Sequence, residues 1–283
     1  MTGSLDELWE RVWSAPDDDR PAQILADALM ERGDPYGEWL AVGLAGARGS
    51  RALRERAEAC FLGALAEVVR RPGWRRGFLD RVTVQPASLE ALDATRLHAG
   101  WRTVRRLEIS ARQDRRLVPV IRWLGGFDGW RWLETVALGP PTHLQALLRS
   151  PDLEIRHLEV GFLNPMDAGR LADPAVFPAL RTFRLAEVPI HAPSARTELG
   201  ALVRRPLDSV TGPLHPASIA VWAEIAEGAA CTVVLEDDRW SLALERSGDL
   251  VATPLHPEAT RSTVHGLVRR MPEGLRRTVS FTS

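Results

Sequence analysis

Apolar positions change their period along the chain, and each change marks a different kind of element. Leu5, Leu8, Trp9 and Val12 recur at helical spacing. Ser4 and Glu7 stand three apart, as in a capping box, so a helix is predicted that ends before Pro16. A second helix is predicted from Pro21, whose missing N–H is not needed in a first turn, with Ile24, Leu25, Ala28 and Leu29 as its stripe. Gly33 supplies a left-handed stop and Pro35 enforces it; a third helix then carries Trp39, Leu40 and Val42. After a small-residue break, RALRERAEACFLGALAEVVRR reads as one long amphipathic helix ending at Pro72-Gly73. Leu53, Ala57, Cys60, Phe61, Leu65 and Val68 make its inner face, where Cys60 is expected as a buried small hydrophobe.

From residue 79 the period falls to two. The segments LDRVTV, VRRLEI, LETVAL, IRHLEV, LRTFRL and LDSVTG begin at Leu79, Val104, Leu133, Ile155, Leu180 and Leu207, at spacings of 25, 29, 22, 25 and 27 residues. All but the last keep apolar residues at positions 1, 4 and 6; the last ends in Gly212. Helix-like stretches separate them, such as SLEALDATRLHAG, RLVPVIRWLGGF, THLQALLRS and SIAVWAEIAEG. This period lies in the roughly 20–29-residue range of leucine-rich repeats. Burying two or three side chains per unit contributes roughly 1.5–3 kcal/mol each before entropy, so such units must stack. The asparagine or cysteine of a regular repeat is absent, because its places hold Ala87, Arg112, Pro141, Leu163 and Val188. The expected fold class is therefore α/β, an irregular leucine-rich-repeat-like solenoid with an N-terminal helical cap (1–75), repeats over 76–228 and a small α+β C-terminal cap (229–283). In that last part CTVVLE, WSLALE and LVATPL read as strands, the last two joined by a turn at 246–249. HPEATRSTVHGLVRRM reads as a helix and RRTVSFTS as a closing strand, the whole expected to cover the open edge of the sheet.

The stretch PDDDRPAQILADALMERGDPYGEWLAV resembles the bacterial repeat-companion domain. The match is carried by Asp17, Asp18, Asp19, Leu25, Ala26 and Asp27, then by Glu31, Arg32, Gly33, Asp34, Pro35, Gly37 and Glu38, and covers about 45 of the 283 residues. Trp74-Arg75-Arg76-Gly77-Phe78-Leu79 is similar to the glycine–phenylalanine entry into the first repeat strand of such proteins. The resemblance implies a helical hairpin docked as the N-terminal cap of a repeat region, often leucine-rich, in a bacterium. It implies no catalytic residues.

Composition narrows the chemistry. All 36 cations are arginine, which excludes Schiff-base and phosphate-loop lysines, and the net charge of -1 disfavours bulk attraction to nucleic acid or anionic membrane. Two distant cysteines, Cys60 and Cys231, form neither a disulfide framework nor a zinc knuckle. A polar N-terminus and the lack of a long apolar run point to a cytoplasmic location with no membrane partner. The seven histidines show no HxxxH pattern and no GxSxG is present, so no catalytic residue, metal, cofactor or small-molecule substrate is expected. Asp17 to Asp19 and the acids Asp27, Glu31, Asp34 and Glu38 are read as helix caps and arginine partners. Trp123, Trp130 and Trp132 are read as filling between irregular coils, or, if exposed, as a binding anchor.

The strongest candidate site is geometric. Positions 3 and 5 of each strand point away from the core, and would line a concave face with Arg81, Thr83, Arg106, Glu108, His157, Glu159, Thr182 and Arg184 as partner-binding residues. Thr135, Ala137, Ser209 and Thr211 continue the stripe. The expected function is a non-enzymatic scaffold for another bacterial protein. One rival is an adaptor subunit of a defence or signalling complex, binding through its helical cap or its tryptophans. Another is nucleic-acid binding through Arg75-Arg76, Arg105-Arg106 and Arg204-Arg205.

Overall fold

A computed structural model describes residues 4–85, 88–109, 114–139, 141–149, 153–187, 193–215, 218–245, 250–256, 259, 261–269, 271 and 279–282. The chain is mixed α/β and divides into two compact units, Met1–Ala137 and Leu138–Ser283. No described helix is long and apolar enough to cross a membrane.

The first unit begins with four helices, α1 (Leu5–Ser14), α2 (Asp19–Glu31), α3 (Pro35–Leu44) and α4 (Arg51–Leu62). Their starts are chemically fixed. Glu7 N–H donates to Ser4 Oγ at 3.2 Å and Ser4 N–H to Glu7 Oε2 at 3.0 Å, the reciprocal pair of a capping box. Asp18 and Asp34 accept from the N–H groups of Arg20 and Tyr36 at 3.0 and 2.9 Å. Gly33, at φ 72°, takes the left-handed turn between α2 and α3 at no steric cost. Leu8, Trp9 and Val12 of α1, Leu25 and Leu29 of α2 and Leu40 of α3 then meet in one core, with Tyr36 stacked 4.0 Å from Phe61. Among the described residues the Tyr36 hydroxyl has no hydrogen-bond partner, and burial pushes its pKa up.

The predicted helix over 51–71 is shorter than its apolar pattern. It stops at Leu62, passes through a 3-10 turn at Gly63–Glu67, and gives way to β1 (Val69–Arg75), which pairs antiparallel with β2 (Phe78–Val84). The link is Arg76-Gly77, both at positive φ (54° and 85°), as a two-residue hairpin requires. The glycine–phenylalanine entry is thus the second half of a hairpin. Cys60 lies within α4 but off its buried Leu53–Ala57 face: it is exposed, its thiol hydrogen-bonded to Asp34 at 3.3 Å, and is not the buried hydrophobe its helical position suggested.

After β2 come α5 (Leu89–Asp93), a 3-10 turn at Ala99–Thr103, β3 (Arg106–Ile109), α6 (Asp114–Gly125) and β4 (Thr135–Leu138), which crosses the boundary between the units. The strands β2 and β3 are parallel and in register, Val82 beside Leu107 and Val84 beside Ile109, all buried. Trp101 is fully buried, with Trp123 and Trp130 at 6.1 and 5.7 Å. Trp132 is 7% exposed. The three clustered tryptophans therefore fill the interior edge of this unit, and the indole N–H groups of Trp123 and Trp130 are held by Asp93 and the Leu124 carbonyl.

His98 locks the 3-10 turn. Its Nδ1 accepts from Gly100 N–H at 3.0 Å, which leaves Nε2 to donate to the Phe61 carbonyl at 2.7 Å. The neutral ring is thus fully matched, and burial, opposed by that carbonyl, lowers its pKa. In the pH window just below the ordinary histidine value of about 6.5, the unfolded chain binds the proton and the folded chain does not. Stability is therefore complete above that value and falls as pH drops through the window. We expect urea midpoints of the parent chain to fall more than those of His98→Gln between neutral pH and mildly acidic pH; parallel curves would refute the assignment.

The second unit continues with α7 (Pro141–Leu147), β5 (His157–Phe162), α8 (Pro165–Ala172), β6 (Thr182–Glu187), α9 (Pro193–Val203) and β7 (Ser209–Pro213). It ends with α10 (Ile219–Ala226), β8 (Thr232–Glu236), β9 (Trp240–Leu244), β10 (Leu250–Pro254), α11 (Arg261–Val268) and β11 (Val279–Phe281). Strand order follows chain order from β5 to β11. β5 to β8 are parallel, β9 is antiparallel to both its neighbours, and β11 is parallel to β10. Positions 4 and 6 are buried here too: Leu158 and Val160, Phe183 and Leu185, and Val210. Each repeat also ties to the last at the residue before the strand, Arg181 N–H to Arg156 C=O at 2.8 Å and Asp208 N–H to Arg181 C=O at 2.7 Å. The C-terminal strands cover the β7 edge by pairing with it rather than by capping it as a separate element. β8 pairs in register with β7 and so lengthens the sheet. Ala87, Arg112, Val188 and the 246–249 turn lie outside the described residues, as does the side chain of Pro141; Leu163 is buried at 3% exposure.

Candidate functional site

In the first unit the outward positions of β2 and β3 stand in register, Arg81 beside Arg106 and Thr83 beside Glu108. Arg81 is exposed, and Arg106 and Glu108 are half-buried. Thr83 differs from expectation, being only 6% exposed. The cause is β1, which the sequence pattern hid: Thr83 lies between Arg70 of β1 and Glu108 of β3, donating to Glu108 at 3.4 Å, and two long neighbours shield its short side chain.

At the start of β3 a different cluster forms. Arg105 lies 5.3 Å over the Trp132 ring, donates to Glu134 at 3.0 Å, and stands within 4.0 Å of Asp17 and Asp80. Burial raises the Asp80 pKa, against the lowering pull of Arg75 and Arg105. The same commitment recurs in the other arginine pairs. Arg76 pairs with Asp19, and Arg205, only 4% exposed, donates to the carbonyls of Leu171, Asp173 and Phe177. In these three pairs one arginine is thus engaged within the protein: Arg205 is buried, and Arg76 and Arg105 are half-buried.

In the second unit His157 Nδ1 lies 2.8 Å from Thr182 Oγ1, its register partner, and Glu159 stands beside Arg184. Arg184 reaches across β7 to Glu236 on β8 at 2.9 Å, and Glu236 also accepts from Ser241 at 3.3 Å. Arg184 can span β7 because the intervening register position is the short Thr211. A half-exposed pair of this kind contributes about 0–1 kcal/mol, so its effect is to fix the side chains on the face.

The register continues further than the strand pattern indicated. One lateral row runs Glu159, Arg184, Thr211, Val234, Ala243, Val251 and Ser280, across seven strands. Its β5–β6 end is charged. Its β8–β10 end is apolar, and Val234, Ala243 and Val251 remain half-exposed. Sequence reasoning missed these three, because they lie in strands assigned to a separate cap; the alternation appears in the burial of β8 and β9, whereas the sequence of β8 runs three apolar residues together. Six strand spacings give the row a length on the order of 29 Å, and five-residue strands a width of about 17 Å. Among the described residues no three His, Cys, Asp or Glu side chains converge as metal ligands would. Comparisons with family models, with curated proteins and with solved structures find no match for this chain.

Proposed function

We propose that the chain is a non-enzymatic scaffold that holds another bacterial protein against the outward face of its second-unit sheet. The strand–helix repeats are read as an irregular leucine-rich-repeat-like solenoid, and the α2–α3 hairpin as its repeat-companion-type cap. One observation carries the functional reading: the in-register row from Glu159 to Ser280 joins a charged end to a half-exposed apolar end. Protein interfaces combine an apolar centre with a polar rim, and a face of this length and width, about 500 Å², matches one partner's share of a small, transient interface. Arg184 and Glu236 are pre-positioned by each other, which lowers the ordering cost of binding. Nucleic acid fits less well, since one member of each arginine pair is already engaged.

The test is capture from the extract of the source cells with matched baits. The parent chain is expected to retain a partner that Ala243→Glu combined with Val251→Glu loses at least about tenfold, while a bait altered at exposed Arg51 keeps it. A partner held equally by the parent and the double variant would overturn the reading.

A further inference from the structure

We propose that the groove between α1 and α2 is a second docking site, built for an acidic, apolar peptide segment of a partner protein. It is formed by α1 and α2 of the first unit and does not depend on the sheet face of the second. The groove has a cavity volume of about 410 Å³, with Leu8, Pro21 and Ile24 in its lining. That is the size range of ligand pockets, enough for one or two apolar side chains. Ile24 is 49% exposed, although its neighbours Leu25 and Ala26 are buried at 0% and 1%. Together with Leu8 and Pro21, Ile24 gives the groove an apolar floor that an occupant's apolar side chain can cover.

The rim determines the sign of the occupant. Four charged residues line the groove: Glu10, Arg11, Asp18 and Arg20. Glu10 is paired with Arg102 at 2.9 Å, whereas Asp18 accepts from the Arg20 backbone N–H at 3.0 Å, a capping bond that leaves its charge in place. Among the described residues neither Arg11 nor Arg20 makes a side-chain hydrogen bond or an ion pair. With the Glu10–Arg102 pair set aside, two guanidinium groups face one carboxylate, so the charge left over in the groove is positive, and the two exposed arginines flank its apolar floor. Guanidinium forks match carboxylates in pairs, so a segment that alternates acids with leucine-like side chains satisfies both floor and rim.

A random peptide display library panned against the whole chain tests this. The expected result is enrichment of sequences that combine Asp or Glu with large apolar residues. A fluorescein-labelled copy of the most enriched sequence should then bind the parent chain and Arg51→Glu alike, and bind at least about tenfold more weakly to Arg11→Glu with Arg20→Glu. Ile24→Asp serves as a second variant, acting on the floor, and circular dichroism verifies that each variant is folded. Enrichment of basic sequences, no enrichment at all, or binding indifferent to these substitutions would each overturn the proposal. Because the sheet face is intact in every variant, failure here leaves the first reading standing, and the reverse also holds.

Discussion

Replacing Arg205 by methionine should destabilise the chain by about 2–4 kcal/mol, the scale expected when a buried side chain loses charge-assisted hydrogen bonds to several carbonyls. Arg205 precedes the β7 repeat and is only 4% exposed. Nη1 donates to the Leu171 carbonyl at 2.7 Å, at the end of α8, and to Asp173 at 3.3 Å; Nη2 donates to Phe177. Burial lowers the guanidinium pKa, with the Asp173 charge opposing. Phe177 is itself unusual, a fully buried phenylalanine at φ 50°, in the left-handed region that costs a non-glycine residue energy. The arginine fork holds that strained turn by its carbonyl and satisfies the end of α8 together. Methionine would fill much of the space but leave the Leu171 carbonyl without its donor, and leave the Asp173 and Phe177 carbonyls only the backbone N–H groups of Val176 and Leu180. Lysine should recover only part of the loss, because one ammonium does not reproduce the planar fork. The neighbouring Arg204 is exposed, and Arg204→Met should change stability by less than about 0.5 kcal/mol. Urea unfolding of the three variants is the measurement, and near-equal midpoints for the 204 and 205 variants would refute the argument.

That contrast shows where sequence stops being informative. Nothing local distinguishes Arg204 from Arg205, because their difference is made by a turn 28 residues earlier. The same holds for β1. Its residues continue an apolar helical stripe from α4, and the competing signal was a single dipeptide, Arg76-Gly77, whose positive φ values set up a hairpin. By contrast, the caps at Ser4, Asp18 and Asp34 were legible because a cap is a local bond between a side chain and a backbone two or three residues on. The burial of Val82, Leu107, Leu158, Phe183 and Val210 was legible because alternation is enforced residue by residue. The candidate face was half legible. Its β5–β7 side chains follow from alternation, but its apolar end depends on β8 joining β7, a parallel pairing across α10 that no window of sequence encodes.

The break in the repeat at Gly212 supplies the second large effect. Five earlier segments place Val84, Ile109, Leu138, Val160 and Leu185 at position 6, so Gly212→Val would restore the pattern. We expect it to cost about 3 kcal/mol, at the upper end of what overpacking a core produces. A Cβ on Gly212 would stand 2.3 Å from Trp222 Cζ2 and 2.6 Å from Cε2, well inside contact distance. Trp222, on α10, is fully buried and cannot swing into solvent. The missing side chain is therefore the space the indole fills, a large-for-small exchange between strand and helix that keeps this layer at core density. The exchange predicts coupling. Trp222→Ala alone should cost about 3–5 kcal/mol for the lost ring. Combined with Gly212→Val, the total should fall short of the sum by about 1 kcal/mol or more, since valine then enters space the ring has left. Additive losses, or a Gly212→Val variant within about 0.5 kcal/mol of the parent chain, would mean that the strand and α10 do not share this volume.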